Sequence, residues 1–281
     1  MEEELQAKAL ENIQNNGFTI LRNAVSLELV DKVVSDFNYW SSIESNNFKP
    51  HNFDRVTNFH MYSQNTLDLV TNNRVNLILN ALFNEPQCVY SSLFFRESTQ
   101  QDYHRDTPHF YTNPIDKYYG VWYSLEDINI NAGPLKYIIG SHKITAPDGY
   151  YVFNTNENKD NLNCLLKYNK NIEDTCKSLG LIEIDETNYA NNNKINKGDV
   201  IIWHPGLLHG GSNILDTTLT RYSMVTHNVP TNQAVFNASH FFRSEPSSEY
   251  ITNKCNFEYI CHNGINIVNH KCLPKVQKTY I

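Results

Sequence analysis

His104-Arg105-Asp106 sets an imidazole and a carboxylate two residues apart. In an extended segment, residues i and i+2 point to the same side, so both groups aim at one point. Alone, such a pair is common in surface loops. A second histidine, His209, opens the glycine-rich bend His209-Gly210-Gly211-Ser212-Asn213 after the apolar run Val200-Ile201-Ile202-Trp203. Two histidines and one carboxylate on one face form the facial triad of non-haem Fe(II) oxygenases, which leaves three adjacent positions of an octahedral metal open. Twelve residues after His209 comes Arg221-Tyr222-Ser223. If the chain reverses after residue 213, the 220–228 strand returns antiparallel beside the one carrying His209. Arg221 and Ser223 then share a face that looks into the same cavity. A fixed guanidinium set back from the metal suits a dicarboxylate cosubstrate. One end of 2-oxoglutarate would chelate iron through its keto acid, and the other would take a forked charge-assisted bond from Arg221, helped by the Ser223 hydroxyl.

The remaining chemistry-bearing residues read less sharply. His204, inside the apolar run, is expected on a pocket wall or buried and hydrogen-bonded. His227 shares the Arg221–Ser223 face and fits core or pocket equally. His142 reads as a turn residue and His109 as a loop residue beyond Asp106. Arg105 and Arg96 are either anchors for an anionic substrate or members of surface ion pairs. The tail holds Cys255, Cys261, His262, His270 and Cys272 but no Cys-x-x-Cys pair, so structural zinc is not expected.

Elements must position these residues. Residues 2–15 and the stretch after Ser26, which reads as an N-cap, are helical in pattern, with a short strand at 17–22 between them. A further helix is expected over 66–83, with Leu67, Val70, Leu77, Ile78 and Leu82 facing inward and Pro86 as its stop. From residue 87 short apolar or alternating runs follow at 87–96, 118–125, 135–139, 199–204 and 219–229, separated by turns such as Asn131-Ala132-Gly133-Pro134. Strands after N-terminal helices indicate a β-sandwich or barrel with flanking helices. We read one domain over 1–281: N-terminal helices to about 85, a β core over about 86–230, and an aromatic packing segment over 231–281. The polar stretch 151–194 reads as an insertion within the core and a candidate lid.

Composition narrows the class. The 281 residues carry a formal charge of −7, which argues against non-specific binding to nucleic acid or to an anionic membrane. Hydrophobic residues make up 40%, too many for a disordered chain. No secretory leader is read at the N-terminus and no apolar stretch reaches about 18 residues, so a cytoplasmic protein with reduced cysteines is expected.

Several motifs occur in an order that resembles the phytanoyl-CoA dioxygenase family of Fe(II)/2-oxoglutarate-dependent oxygenases. They are Gly17-Phe18-Thr19-Ile20-Leu21-Arg22, Tyr103-His104-Arg105-Asp106, Trp122-Tyr123-Ser124-Leu125-Glu126-Asp127, Asn131-Ala132-Gly133-Pro134-Leu135, Ile139-Gly140-Ser141-His142-Lys143, the Gly198-Asp199 strand, His209-Gly210-Gly211-Ser212 and Arg221. The resemblance spans residues 17 to about 229. It implies a mainly β fold with flanking helices, a double-stranded β-helix of the cupin or jelly-roll type. It implies iron held by His104, Asp106 and His209, and 2-oxoglutarate by Arg221. Trp122 takes the place of a family tryptophan lining the cosubstrate pocket, with Ser212 or Ser223 supplying a hydroxyl. Related halogenases replace the carboxylate with a small residue, so Asp106 favours hydroxylation.

The expectation is therefore a dioxygenase that uses Fe(II), 2-oxoglutarate and O2 to oxidise a C–H bond of a small molecule, polar or linked to a carrier or CoA, releasing succinate and CO2. Desaturation and cyclisation use the same iron site. Two other readings stay open on the sequence: a cupin-type binding protein without turnover, and a non-oxidative metal enzyme. Neither needs Arg221. The oligomeric state is not legible.

Overall fold

The computed structural model describes residues 2–43, 55–145, 161–189, 191, 193–242, 254–270 and 276–277. The helix α1 (Glu2–Asn16) runs into strand β1 (Phe18–Leu21), and α2 (Leu27–Ser42) follows with Ser26 as its N-cap, the hydroxyl accepting from the Leu29 amide. Gly17 joins α1 to β1 at φ +88°, where a Cβ would stand 2.6 Å from His142 Nδ1; a glycine is required for both conformation and space. Strand β2 (Arg55–Thr57) precedes two helices, α3 (Gln64–Val70) and α4 (Asn73–Phe83). The single helix expected over 66–83 is thus broken. Thr71 turns its hydroxyl onto the Leu67 carbonyl, and Asn72 caps α4 by accepting from the Val75 amide. Side chains that bond their own backbone compete with a continuous helix at this point. The break also moves Leu77 outward: it is exposed, while Val70 and Ile78 are buried.

The strands match the sequence pattern closely: β3 (Gln87–Phe95), β4 (Tyr119–Ser124) and β5 (Leu135–Ile138) come first. The helix α5 (Asn161–Ser178) and the short β6 (Glu183–Ile184) follow. After them come β7 (Val200–Trp203), β8 (His209–Gly211), β9 (Ser223–Pro230) and the short helix α6 (Ala238–Phe241). The tail adds β10 (Tyr259–His262), β11 (Ile265–Val268) and β12 (Val276–Gln277). The main sheet has the order β1-β7-β4-β9-β3-β11-β10, with β2 on β3 and β12 on β2. A second sheet, β6-β5-β8, lies apart from it. This is the large mixed sheet with flanking helices of a double-stranded β-helix core. The tail packs onto it directly, β11 pairing with β3 in parallel.

Alternation along the strands sorts the core into two layers. Phe94, Val121, Tyr123, Val200, Ile202 and Met224 pack against the helices. Phe95, Trp122, Ile201, Trp203 and Val225 point the other way, toward Leu135 and Tyr137 of the small sheet. Asp199, 1% exposed, pins the start of β7 by accepting from Arg22 Nη1 (2.7 Å) and from the amides of Asn23 and Asn196.

The polar stretch expected as a loop contains α5, whose Tyr168, Ile172 and Cys176 are buried at every fourth position. That spacing is one narrow helical stripe, diluted by the Asn, Lys, Asp and Glu between. Residues 151–160, 190 and 192 of the expected insertion lie outside the described residues. No helix among the described residues is long and apolar enough to cross a membrane.

Candidate metal centre and cosubstrate pocket

His104 and His209 are brought together by the backbone itself. They form an isolated antiparallel bridge, the His104 amide donating to the His209 carbonyl (2.9 Å) and the reverse bond closing at 3.1 Å. Two residues on, the Asp106 amide donates to the Pro205 carbonyl at 2.9 Å. Arg105, between them, must then point the opposite way. Its guanidinium reaches the carbonyls of Ser141 and Ile144 and the Tyr168 hydroxyl, and its amide donates to Asn169 Oδ1. Arg105 is therefore a buried clamp holding the triad loop against α5, neither an anchor in the cavity nor part of a surface ion pair. Arg96 is exposed and also absent from the cavity wall.

Candidate ligand atoms of His104, Asp106 and His209 lie within 4.8 Å of one another. It is the one such group of metal-ligating side chains among the described residues. His104 Nδ1 lies 2.9 Å from the Asp102 carbonyl and His209 Nδ1 lies 3.0 Å from the Leu207 carbonyl. A carbonyl only accepts, so both Nδ1 atoms carry a proton and Nε2 is the ring atom each histidine leaves for a metal. Burial, reinforced by the neighbouring His209, pushes the His104 imidazole down to about 3, which keeps it neutral. Burial pushes the Asp106 carboxyl up, but the imidazoles of His209, His104 and His227 and the Trp203 indole outweigh it and hold Asp106 at about 2. Asp106 Oδ2 accepts from Trp203 Nε1 (2.8 Å) and from the Tyr118 hydroxyl (3.0 Å), while Oδ1 lies 3.8 Å from His209 Nε2. Two imidazoles and one ionised carboxylate converge, a donor set suited to a divalent first-row metal.

The triad opens on a cavity of about 380 Å³ between the two sheets. Trp122, Arg221, Val225 and His227 line it, as do Ser91, Leu93 and Phe95 of β3 and Gln101, Leu135 and Gly210. Arg221 does not arrive as the sequence suggested. Strand β9 pairs with β3 and β4, whereas β8, with His209, pairs with β5 in the opposite sheet. The two residues therefore face each other across the barrel instead of sitting side by side. The Arg221 guanidinium is buried, stands 5.9 Å from the Trp122 ring and donates one bond, to the Gly133 carbonyl at 3.2 Å. Its Nε has no partner. Glu126, a carboxylate whose charge acts on it, already accepts from the Tyr222 amide and the Thr220 hydroxyl. Burial pushes Arg221 down to about 10. An incompletely satisfied guanidinium on a cavity wall is a site for an anion.

Ser212 and Ser223 are fully buried with unpartnered hydroxyls, and neither belongs to the cavity wall. His227 does belong to it, with Nδ1 hydrogen-bonded to Ser91 Oγ at 2.7 Å and burial pushing the ring down to about 4. His109 also lines the cavity. His204 and His142 sit outside it. His204 accepts from the Gly206 amide, and His142 Nε2 meets the Gln14 carbonyl. In the tail, His262 pairs with Asp68 and His270 with the Tyr90 carbonyl. One cavity residue escaped the sequence reading. Arg55, on the three-residue β2, brings a second guanidinium to the wall, its Nε buried and unpartnered. Burial lowers its basicity and nearby Asp106 raises it. No periodic pattern marks so short a strand.

With this geometry in hand, comparison with known proteins is informative. The profile of the phytanoyl-CoA dioxygenase (PhyH) family matches residues 13–217, most of the chain. A Caenorhabditis briggsae protein described as a phytanoyl-CoA dioxygenase domain-containing protein 1 homolog is 27% identical over 103 residues, 35% of each chain, so the match spans about a third of that relative. Among solved structures, the epimerase SnoN from nogalamycin biosynthesis, in complex with Fe3+, alpha ketoglutarate and nogalamycin RO, superposes with a TM-score of 0.63 at 12% identity, covering 95% of this chain and 99% of that one. HygX from Streptomyces hygroscopicus with nickel and 2-oxoglutarate bound gives 0.56 at 15% identity, covering 82% and 89%. EctD from S. alaskensis with bound Fe gives 0.60 at 14% identity, covering 87% and 82%. At such identities these likenesses establish the shared fold.

Proposed function

This chain belongs to the phytanoyl-CoA dioxygenase family, and from that premise we propose that it is an Fe(II)- and 2-oxoglutarate-dependent dioxygenase. In this reading it hydroxylates a C–H bond of a small polar substrate and releases succinate and CO2. One observation carries the reading: two imidazoles and a carboxylate oxygen converge at the mouth of a cavity whose far wall holds a buried, under-bonded arginine. Iron with 2-oxoglutarate and O2 supplies the oxidant when bound.

The residues of the chain do the rest. His104, Asp106 and His209 hold the metal. Arg221 binds the far carboxylate of 2-oxoglutarate by a forked pair of bonds, and the Trp122 ring forms a flat wall beside it. Ser223 and Ser212, both with uncommitted hydroxyls, lie behind the wall and are not assigned a contact to the cosubstrate. Arg55 and Arg221 outnumber Asp106 among the fixed charges of the lining, a balance that draws in a dianion. The rest of the wall includes Asn58, Ser91, Thr99, Gln101 and His227, which favours a hydrogen-bonding substrate over an alkyl chain. Ligand sites typically span roughly 300–1,000 Å³, so this cavity is small and shared with the cosubstrate. A carrier or CoA portion would lie outside it.

Anaerobic titration of the protein with Fe(II) and 2-oxoglutarate tests the assignment through the weak visible charge-transfer band of the chelate. The band is expected in the native protein, absent in His209→Ala and weakened in Arg221→Ala. Iron bound without any band overturns the 2-oxoglutarate assignment.

A further inference from the structure

Resting on the reading that His104, Asp106 and His209 hold a metal, we propose that Tyr118 and Trp203 are positioning residues that make Asp106 a one-oxygen ligand. Both donate to the same atom, Asp106 Oδ2. An ionised carboxylate offers about two lone-pair sites on each oxygen. Two donors on Oδ2 commit both of its sites, and Oδ1, on the side of His209 Nε2, is left for the metal. The consequence is coordinative. A carboxylate that closed on the metal with both oxygens would occupy a position that a bidentate keto acid and O2 need between them.

The fold makes room for this arrangement. Gly120 lies directly opposite Trp203 in the β4–β7 ladder. A Cβ at Gly120 would stand 2.3 Å from Trp203 Cε2 and 2.5 Å from Nε1, so any other residue displaces the indole. Gly120 has no left-handed φ to explain it; the glycine is there for space. The indole also lies against the His209 ring, with centroids 4.7 Å apart, so one side chain braces two ligands. On the other side Tyr118 is fixed by stacking on Phe110 at 4.6 Å and 4°. Neither Tyr118 nor Trp203 is needed to bind the cosubstrate carboxylate. Their uncommitted capacity is spent on Asp106 alone.

The test uses the full chain freed of metal and titrated anaerobically with Co(II), whose visible absorption reports coordination number. Trp203→Phe and Tyr118→Phe each remove one donor and keep a ring. Loss of an outer partner of a metal ligand typically costs 10–100-fold in affinity, and that weakening is expected for each, with a changed cobalt spectrum while the metal-free protein still melts cooperatively. Gly120→Ala keeps both donors, and is expected to reproduce Trp203→Phe by dislodging the indole. Should Trp203→Phe fail to fold, Tyr118→Phe, one oxygen smaller, carries the test. Native affinity and spectrum in Tyr118→Phe overturn the proposal. A native protein that binds no cobalt instead removes the metal reading on which it rests.

Discussion

Replacing Arg221 by methionine separates a binding role from a structural one. In the free protein the guanidinium is 4% exposed, donates one bond, and has no carboxylate within ion-pair distance among the described residues. Losing the bond to the Gly133 carbonyl costs about 1–3 kcal/mol. Removing a buried cation that lacks a close counter-charge returns a similar amount, since apolar replacement of buried charge is often neutral or better. Melting of the unliganded variant should therefore stay within about 2 kcal/mol of native. With 2-oxoglutarate the balance is different. A forked pair of charge-assisted bonds at about 1.5–3 kcal/mol each amounts to roughly 3–6 kcal/mol. At 1.4 kcal/mol per decade, the dissociation constant should rise about 100- to 10,000-fold. The assay is twofold: anaerobic titration of the Fe(II) protein, and the melting shift produced by 2-oxoglutarate, about 2.7 kcal/mol at 100 times the native dissociation constant in the native protein and about 0.4 kcal/mol or less in Arg221→Met at the same concentration. Affinity within tenfold of native, or a loss of several kcal/mol without ligand, would refute the reasoning and make Arg221 a structural residue.

Other consequences are open to measurement. His104→Ala should abolish binding of one equivalent of Fe(II) or Co(II) while the metal-free protein still melts cooperatively. Asp199→Ala removes the acceptor of two amides at the start of β7 and its ion pair with the part-exposed Arg22, and should destabilise by about 1–3 kcal/mol in urea melts; no measurable loss would contradict it. His60 is fully buried, its Nδ1 shared with Ser92 Oγ, and burial followed by the nearby His270 pushes it down to about 3 against an ordinary 6.5. A lowered folded value means the unfolded chain binds the extra proton. This stability is therefore complete above pH 6.5 and falls by about 1.4 kcal/mol per pH unit as pH drops toward 3. Urea midpoints from pH 7.5 to 5 should decline less steeply in His60→Gln than in the native protein. Gly17→Ala, forced to φ +88° against His142 and Leu207, should lower the melting temperature by several degrees, at about 4 °C or less per kcal/mol for a chain of this size.

Much of the architecture could be read from spacing because the relevant signals are local. Ser26 caps its helix where a hydroxyl precedes an apolar periodicity, and the alternation in 119–124 and 223–230 survives as the two faces of one sheet. The pair His104 and Asp106 was legible for the same reason, since period two holds wherever backbone is extended. What failed required knowing which strand lies beside which. The residues around 221 were placed next to His209, whereas the chain crosses to the other sheet between them, a non-local choice that no turn signal records. The sequence leaves Arg105 as either a substrate anchor or part of a surface ion pair; its clamp is assembled from carbonyls at 141 and 144 and a tyrosine at 168. The donor roles of Tyr118 and Trp203 are not legible in the sequence, because a polar handle on a buried ring carries no sequence mark. Arg55 sits in too short a segment to show a period. The helix at 161–178 was hidden by composition, its buried stripe being a single residue wide.

The backbone pairing of His104 with His209 ties together two ends of a long excursion that contains α5. A metal held by those two side chains is then a removable clasp across the excursion, acting like a cross-link that can be opened by chelation. Lengthening a flexible loop costs only about 0.6 kcal/mol per doubling. That tolerance belongs to the connections of the excursion and not to β4 and β7, which it also carries inside the main sheet. Opening the clasp would then loosen the two ends of the excursion while its strands stay paired in the sheet.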